Sequence, residues 1–96
     1  MKRVVFHPEA EVEFLAAAEF YEAQRRGLGV EFIAEVRRAA HTLQQHPELG
    51  HRSRRLRRLL VQRFPYGLLY RIDAEDISIV AVAHLSRRPG YWRRRR

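Results

Sequence analysis

The sequence of 96 residues contains no cysteine, and this absence excludes disulfide bridges and thiolate metal sites. It also contains no apolar run long enough to cross a bilayer. The N-terminal residues soon become acidic and show no small-residue cleavage pattern, so they do not resemble a signal peptide. We therefore expect a cytoplasmic protein that makes no use of a membrane.

Sequence motifs that bind nucleotide cofactors or activate a serine nucleophile are missing as well. There is no Walker loop, Rossmann glycine pattern or nucleophile elbow. Gly27-Leu28-Gly29 joins two predicted helices and has no strand before it, so we interpret it as a turn. A chain of this length forms one domain with a thin core, which leaves little room for an internal cavity. We expect neither a cofactor nor a small-molecule substrate.

Lysine is nearly absent, because Lys2 is the only lysine among 19 basic residues. Residues 1–50 hold six basic and eight acidic residues, whereas residues 51–96 hold thirteen and three, so the net charges are −2 and +10. A GC-rich genome explains the preference for arginine but does not explain this asymmetry. Arginine binds phosphates and carboxylates through paired hydrogen bonds. The second half is therefore predicted to face an anionic or acidic partner.

The first half of the sequence predicts a strand followed by two helices. The β-branched run at residues 3–6 indicates a strand, and Pro8 with the acidic residues after it favours a helix start. Apolar residues at helical spacing predict helices over about residues 10–25 and 28–45, and Pro47 ends the second. Two helices joined by so short a turn are expected to pack as an antiparallel hairpin.

The second half of the sequence changes to a strand-like pattern. We expect a basic loop over residues 48–56 and strands over residues 57–64, 66–72 and 77–84. The last strand is apolar on both faces, which places it inside the sheet. The predicted fold is α+β with the order β-α-α-β-β-β, a helical hairpin packed on a mostly antiparallel sheet. Residues 1–92 form the single domain, and residues 93–96 form a basic tail that is mobile unless bound.

Arginines are concentrated where the predicted strands begin. The run without any acidic residue comprises Arg52, Arg54, Arg55, Arg57, Arg58 and Arg63. It is either a contact surface for phosphates or an acidic protein, or a solvated face. Side chains alternate between the two faces of a strand, so the arginines of this run, Arg57 and Arg63 among them, cannot all contact one ligand. Tyr91 and Trp92 follow the last strand and either stack on a partner or fold back onto the core.

Three histidines, His41, His46 and His51, fall close together in the sequence. Their spacing matches no helix-face or zinc-knuckle pattern, and neither cysteine nor a pair of carboxylates accompanies them. A histidine near a helix C-terminus interacts favourably with the helix dipole, which accounts for His41 and His46. We therefore expect no metal site.

Four segments in this order resemble the ParE/RelE superfamily of toxins from bacterial type II toxin–antitoxin modules. They are FHPEAEVEF, FYEAQRRGLGVEF, RFPYGLLYR and AVAHLSRRPGYW, and the resemblance extends from Val4 to Trp92. The sequence is closer to the ParE-like branch, which poisons DNA gyrase, than to the RelE-like branch, which cuts mRNA on the ribosome. The resemblance implies a growth-inhibiting, plasmid-stabilising toxin that acts by binding and has a ParD-like antitoxin as its partner.

The expected target-binding residues combine the basic strand with the C-terminal motif. They are Arg57, Arg63, His84, Arg87, Arg88, Tyr91 and Trp92. The alternative that the superfamily offers is a ribosome-dependent endoribonuclease, with RNA as its substrate. A third interpretation is a plain nucleic-acid-binding module without toxicity.

In the ribonuclease alternative, His84 would be the base, Tyr91 the acid, and Arg87 and Arg88 the phosphate ligands. The RelE-like lysines are missing and the spacing is shorter, and His84 equally fits a strand end closed by hydrogen bonds. We therefore expect binding rather than catalysis.

Overall fold

Seven elements of secondary structure follow one another in the computed structural model, which describes residues 1–95. They are β1 (Arg3–Phe6), α1 (Pro8–Gln24), α2 (Leu28–Gln45), β2 (His51–Ser53), β3 (Leu56–Leu60), β4 (Tyr66–Ile72) and β5 (Asp76–His84). The two helices pack together on one face of a single five-stranded sheet. The α+β prediction of a helical hairpin on a mostly antiparallel sheet is therefore confirmed.

The turn between the helices is fixed by two glycines and one glutamate. Gly27 adopts the left-handed φ of 88° that glycine tolerates without strain. The Glu22 carboxylate accepts the N–H groups of Gly27 and Gly29, each at 2.9 Å, and so pairs two donors at the start of α2. A Cβ atom at Gly29 would lie only 2.5 Å from the Ala18 carbonyl oxygen. The hairpin therefore closes tightly at this end.

The strands lie in the order β1-β5-β4-β3-β2. Only β1 is parallel to its neighbour, and its Phe6 aligns with Ile79 on β5. The sequence left the place of this first strand open, and the structure puts it at the edge beside β5. The prediction that β5 lies inside the sheet is confirmed.

An aromatic cluster fills the core between the helices and the sheet. Phe32 is fully buried and contacts the rings of Tyr21, Phe64 and Tyr66, with centroids 5.1–5.3 Å apart. Phe14 extends the cluster toward β1. Such ring pairs add about 1 kcal/mol each beyond the burial of apolar area. The cluster thereby joins both helices to the turn between β3 and β4.

The predicted loop over residues 48–56 is partly wrong, because it contains β2 and its hairpin with β3. Arginines of like charge face each other in this hairpin, Arg52 beside Arg57, and so the sequence pattern favoured a loop. The hairpin forms because Arg54 adopts a left-handed φ of 57° in the turn. Gly50 also leaves room for Tyr70, whose hydroxyl accepts the Gly50 N–H at 2.9 Å.

The strand predicted over residues 57–64 is shorter than expected and ends at Leu60. The chain turns at this point because Arg63 has a left-handed φ of 70°, which no strand accommodates. The Val61 N–H donates to the Tyr66 carbonyl at 2.9 Å and closes the turn. Arg63 therefore projects from a turn and not from a strand.

Candidate binding surface of the C-terminal segment

Residues 85–95, here called the C-terminal segment, cover part of the sheet face opposite the helices, here called the outer face. Tyr91 and Trp92 pack there on a small buried cluster of Leu69, Ala81 and Ala83. Neighbouring residues of a strand alternate between faces, so this cluster lies on the side away from the aromatic core. Trp92 therefore folds back onto the sheet, one of the two arrangements that the sequence left open.

An ion pair between Arg95 and Glu13 fixes the C-terminal segment to α1. Two short contacts, of 2.7 and 3.0 Å, join the guanidinium to the carboxylate, and the side chains are only 9% and 13% exposed. Arg95 also donates to the Val80 carbonyl at 3.1 Å, and Glu13 accepts the Val82 N–H at 3.0 Å. Because β1 ends at Phe6, the two side chains occupy the part of the β5 edge that no strand covers.

The ionised form of Glu13 is favoured by these contacts. Burial opposes ionisation, but hydrogen bonds from Arg95 and the Val82 N–H outweigh it and lower the pKa of Glu13. Glu9, one turn earlier on α1, lies 3.2 Å from Arg95 Nε. The tail predicted for residues 93–96 thus contains an arginine held by two carboxylates, while Arg96 lies outside the described residues.

The Tyr91 ring lies between two guanidinium groups. Arg87 Cζ is 3.8 Å and Arg95 Cζ 5.1 Å from the ring centroid, both within the range of cation–π attraction. The Tyr91 hydroxyl is buried without a hydrogen bond of good geometry. Burial and the nearby Glu13 carboxylate raise the pKa of Tyr91, so the phenol keeps its proton at neutral pH.

His84 ends β5 with its ring against Tyr66, at 5.1 Å between centroids. The Ser86 N–H donates to His84 Nδ1 at 3.0 Å, and Ser86 Oγ lies 2.7 Å from the same atom. When Nδ1 accepts in a neutral imidazole, the proton resides on Nε2. The nitrogen able to take up a proton is therefore already occupied by Ser86.

Two of the predicted target-binding residues are engaged elsewhere in the fold. Arg57 donates to the carbonyl oxygens of Glu48 and Gly50 at 3.0 and 3.1 Å, bracing the approach to β2. Arg63 lies 2.5 Å from a carboxylate oxygen of Glu31 on α2 and ties the β3–β4 turn to the helices. The structure therefore does not bring either arginine into contact with the C-terminal segment.

The remaining predicted residues gather at one end of β5. His84 begins the turn that leads to the stacked pair of Arg87 and Tyr91, and Trp92 follows on the outer face. Arg88 is exposed and forms no ion pair with residues 1–95. The role of these residues as contacts to a target remains a prediction.

A second surface feature is the apolar outward side of α1. Val12, Leu15 and Phe20 are 67%, 50% and 58% exposed, and Val30 of α2 is 67% exposed. Within residues 1–95, no helix or strand covers them. A group of exposed apolar side chains on a small domain is typical of an interaction surface.

Glu9, Glu13 and Arg95 were not among the residues predicted from the sequence. The spacing of the two glutamates places both on one side of a helix, which is a visible signal. Their partner is 82 residues away from Glu13, and no local pattern connects the two. The exposed side of α1 was also detectable, because Val12, Leu15 and Phe20 fall outside the helically spaced apolar residues Ala10, Phe14, Ala17, Ala18 and Tyr21.

Within the described part of the chain, no three histidine, aspartate or glutamate side chains converge in a way that could hold a metal ion. Neither helix of residues 1–95 combines the length and the apolar character needed to span a bilayer.

Comparison with known proteins identifies the family. Residues 4–89 match the family model described as ParE toxin of type II toxin–antitoxin system, parDE. The fold is similar to a chain of the chromosomal ParDE TA system from P. aeruginosa, with a TM-score of 0.78 and 16% identity over 90% of this chain and 98% of that chain. None of the curated proteins matches significantly. Because the family match covers residues 4–89, far more than half of the sequence, this chain belongs to the ParE toxin family of type II toxin–antitoxin systems.

Proposed function

We propose that this chain is a toxin that acts by binding DNA gyrase and is neutralised by a ParD-like antitoxin. The observation that carries the proposal is the internal use of three of the four groups that RNA cleavage would need, namely His84, Tyr91 and Arg87. His84 Nδ1 is occupied by Ser86, and the Tyr91 phenol is buried with a raised pKa. Arg87 stacks on Tyr91 and lies 3.3 Å from a Glu13 carboxylate oxygen. These contacts support a rigid binding surface more than an acid–base site.

The endoribonuclease alternative would require these contacts to break on the ribosome. Ser86 would have to release His84, and Tyr91 would have to leave its place between two guanidinium groups. Arg88 alone is exposed and unpaired among the four candidate catalytic residues, so it suits a contact with a target in either function.

The apolar side of α1 supports an antitoxin as the second partner. Exposed apolar side chains at Val12, Leu15 and Phe20 fit the apolar face of an amphipathic helix that folds on binding. Such a segment would cover the surface, and it would lose conformational entropy as it folds. An antitoxin bound there would block the access of other proteins to this side of the toxin, and it would leave the packing of the core unchanged.

The test is a gyrase supercoiling assay with purified toxin, with and without the antitoxin encoded beside it. We expect inhibition that the antitoxin reverses. The Phe20→Glu variant should still inhibit but bind the antitoxin at least tenfold more weakly, because a charge enters the apolar contact. Arg37→Ala, an exposed change on α2, is the matched control.

Two results would contradict the proposal. One is unaffected gyrase together with mRNA cut on translating ribosomes, with cutting abolished by His84→Ala. The other is an antitoxin that fails to co-purify with the wild-type toxin at a 1:1 ratio.

A further inference from the structure

The outer face contains a cleft of about 520 Å³ beside the C-terminal segment. On one side it is bounded by the turn of the β2–β3 hairpin, with Arg54 and Arg55, and on the other by Gly90 and Arg93. Its size is that of a site for a small ligand or a few side chains of a partner. None of the contacts described for the C-terminal segment fills it.

The charge of the cleft has one sign. Five arginines line it and, among the described residues, no aspartate or glutamate does. Arg71 and Arg95 are neutralised from outside the cleft, by Asp73 at 3.1 Å and Glu13 at 2.7 Å. The arginines that remain are Arg54, Arg55 and Arg93, which stand at the rim without an ion pair to residues 1–95. The rim therefore attracts anions from two sides.

The floor of the cleft is aliphatic. Leu56, Leu69 and Val80 line it, and the one aromatic side chain, Trp92, already packs edge-on against Tyr91 at 5.0 Å. Nucleobases bind best to free aromatic faces, whereas aliphatic side chains need only an apolar surface. The floor thus favours a peptide over a nucleotide.

A separate, smaller hollow lies next to the cleft on the outer face. This hollow of about 180 Å³ shares Arg71 and Val80 with the cleft and reaches Val5 and His7 at the end of β1. Crossing five strands takes about 19 Å at the usual strand spacing. An extended peptide covers that distance with about six residues.

We propose that this cleft binds an extended peptide segment of a partner protein, with aliphatic side chains on the floor and carboxylates paired with Arg54, Arg55 and Arg93. Paired hydrogen bonds to carboxylates are the interaction for which arginine is best suited. In the proposed function this partner is the antitoxin, and to that extent the inference rests on it. The segment would bind on the face opposite α1, so one partner would engage both sides of the domain.

Trp92 is the only tryptophan and lines the cleft, so its fluorescence reports binding directly. The probe is a hexapeptide that alternates leucine and glutamate, titrated into the full chain. We expect a saturable change in Trp92 emission that weakens about tenfold in the double variant Arg54→Ala/Arg55→Ala. The double variant Arg26→Ala/Arg37→Ala removes the same charge from the helical side and should bind like the wild type.

Three outcomes with the hexapeptides would overturn the inference. They are no change in Trp92 emission up to millimolar hexapeptide, equal binding by the Arg54→Ala/Arg55→Ala variant, and equal binding of a hexapeptide with lysine in place of glutamate. Tighter binding of adenosine monophosphate than of the acidic hexapeptide would also assign the cleft to nucleotides instead.

The antitoxin provides a separate readout. If it binds the wild type and the Arg54→Ala/Arg55→Ala variant equally and leaves Trp92 emission unchanged, the inference fails while the proposed function stands. An antitoxin that does not bind the wild type counts against the proposed function, and the hexapeptide then decides on the cleft alone.

Discussion

At the scale of single residues, Glu13 holds together parts of the molecule that are distant in sequence. Its carboxylate accepts the backbone N–H of Val82 and contacts the guanidinium groups of Arg87 and Arg95. Arg95 in turn is 9% exposed, and if Glu13 were neutral, only the exposed carboxylate of Glu9 would remain beside its charge. The loss of this one carboxylate should therefore loosen the whole C-terminal segment.

We expect Glu13→Gln to lower the free energy of unfolding by about 2–3 kcal/mol, because it leaves a largely buried arginine with only the exposed carboxylate of Glu9 as its anion. Urea denaturation followed by circular dichroism measures the change. Glu19→Gln, at an exposed position of the same helix, should stay within about 0.5 kcal/mol of the wild type. An equal effect of both substitutions would show that the ion pair contributes nothing.

The same residue predicts a dependence on pH. The pKa of Glu13 is lowered from its ordinary value of 4.5, so its stabilising effect is complete above that pH and is lost as the pH falls through the folded-state pKa. The difference in stability between the wild type and Glu13→Gln should therefore shrink on acidification below pH 4.5. The pKa of Glu31 is also lowered, by its hydrogen bond from Arg63. Because Glu31 is present in both proteins, its contribution cancels in the difference between their stabilities. A difference that stays constant down to pH 3 would contradict the assignment.

At the scale of elements, the sequence was a good guide wherever a local rule acts alone. Gly27 and Pro47 bound α2, and the observed helix Leu28–Gln45 has the predicted limits. The predictions from sequence failed where the backbone adopts a conformation that the local residue types disfavour. Facing arginines concealed β2, and the left-handed backbone of Arg63 cut β3 short, although that residue type gives no warning of a positive φ.

Gly29 offers a test of how closely the helices pack. In a helix, replacing glycine by alanine normally stabilises by about 1 kcal/mol. At Gly29 the added Cβ would lie 2.5 Å from the Ala18 carbonyl oxygen, so the helices must separate. We expect Gly29→Ala to destabilise by about 1–3 kcal/mol in thermal or urea unfolding.

Ala34→Gly, at an exposed position of the same helix, is the control for Gly29→Ala. It should cost about 1 kcal/mol, so that alanine is preferred at one site and glycine at the other. Stabilisation by Gly29→Ala would show that the hairpin has room to spare.

At the scale of the whole molecule, the sequence predicted several residues of the candidate surface but not how distant segments come together to form it. The C-terminal motif of His84, Arg87 and Tyr91 could be picked out, because those residues are close in sequence. The cleft could not, because its walls come from the β2–β3 hairpin, from β4 and β5 and from residues 89–95. Nor could the partner of Arg95, since it lies 82 residues away.

The uneven charge of the molecule predicts how it meets an acidic partner. Residues 51–96 carry +10 and supply all the arginines of the outer-face cleft. We expect the association rate with the antitoxin to fall at least tenfold between 50 and 500 mM NaCl, with a smaller change in the dissociation rate. Stopped-flow measurement of Trp92 fluorescence gives both rates. A salt effect confined to dissociation would show that long-range attraction plays no part.

The parallel pairing of β1 with β5 also affects when the protein can fold during its synthesis. Arg3 on β1 aligns with Asp76, and Glu13 pairs with Arg95, so β1 gains its neighbouring strand only after residue 76 has been translated, and α1 gains its contact with the C-terminal segment only after residue 95. Contacts of such long range form late and slowly. A chain shortened before residue 95 therefore lacks the arginine that covers the β5 edge, and its Tyr91 ring lacks one of its two guanidinium neighbours. The closed β5 edge therefore requires that translation has passed residue 95.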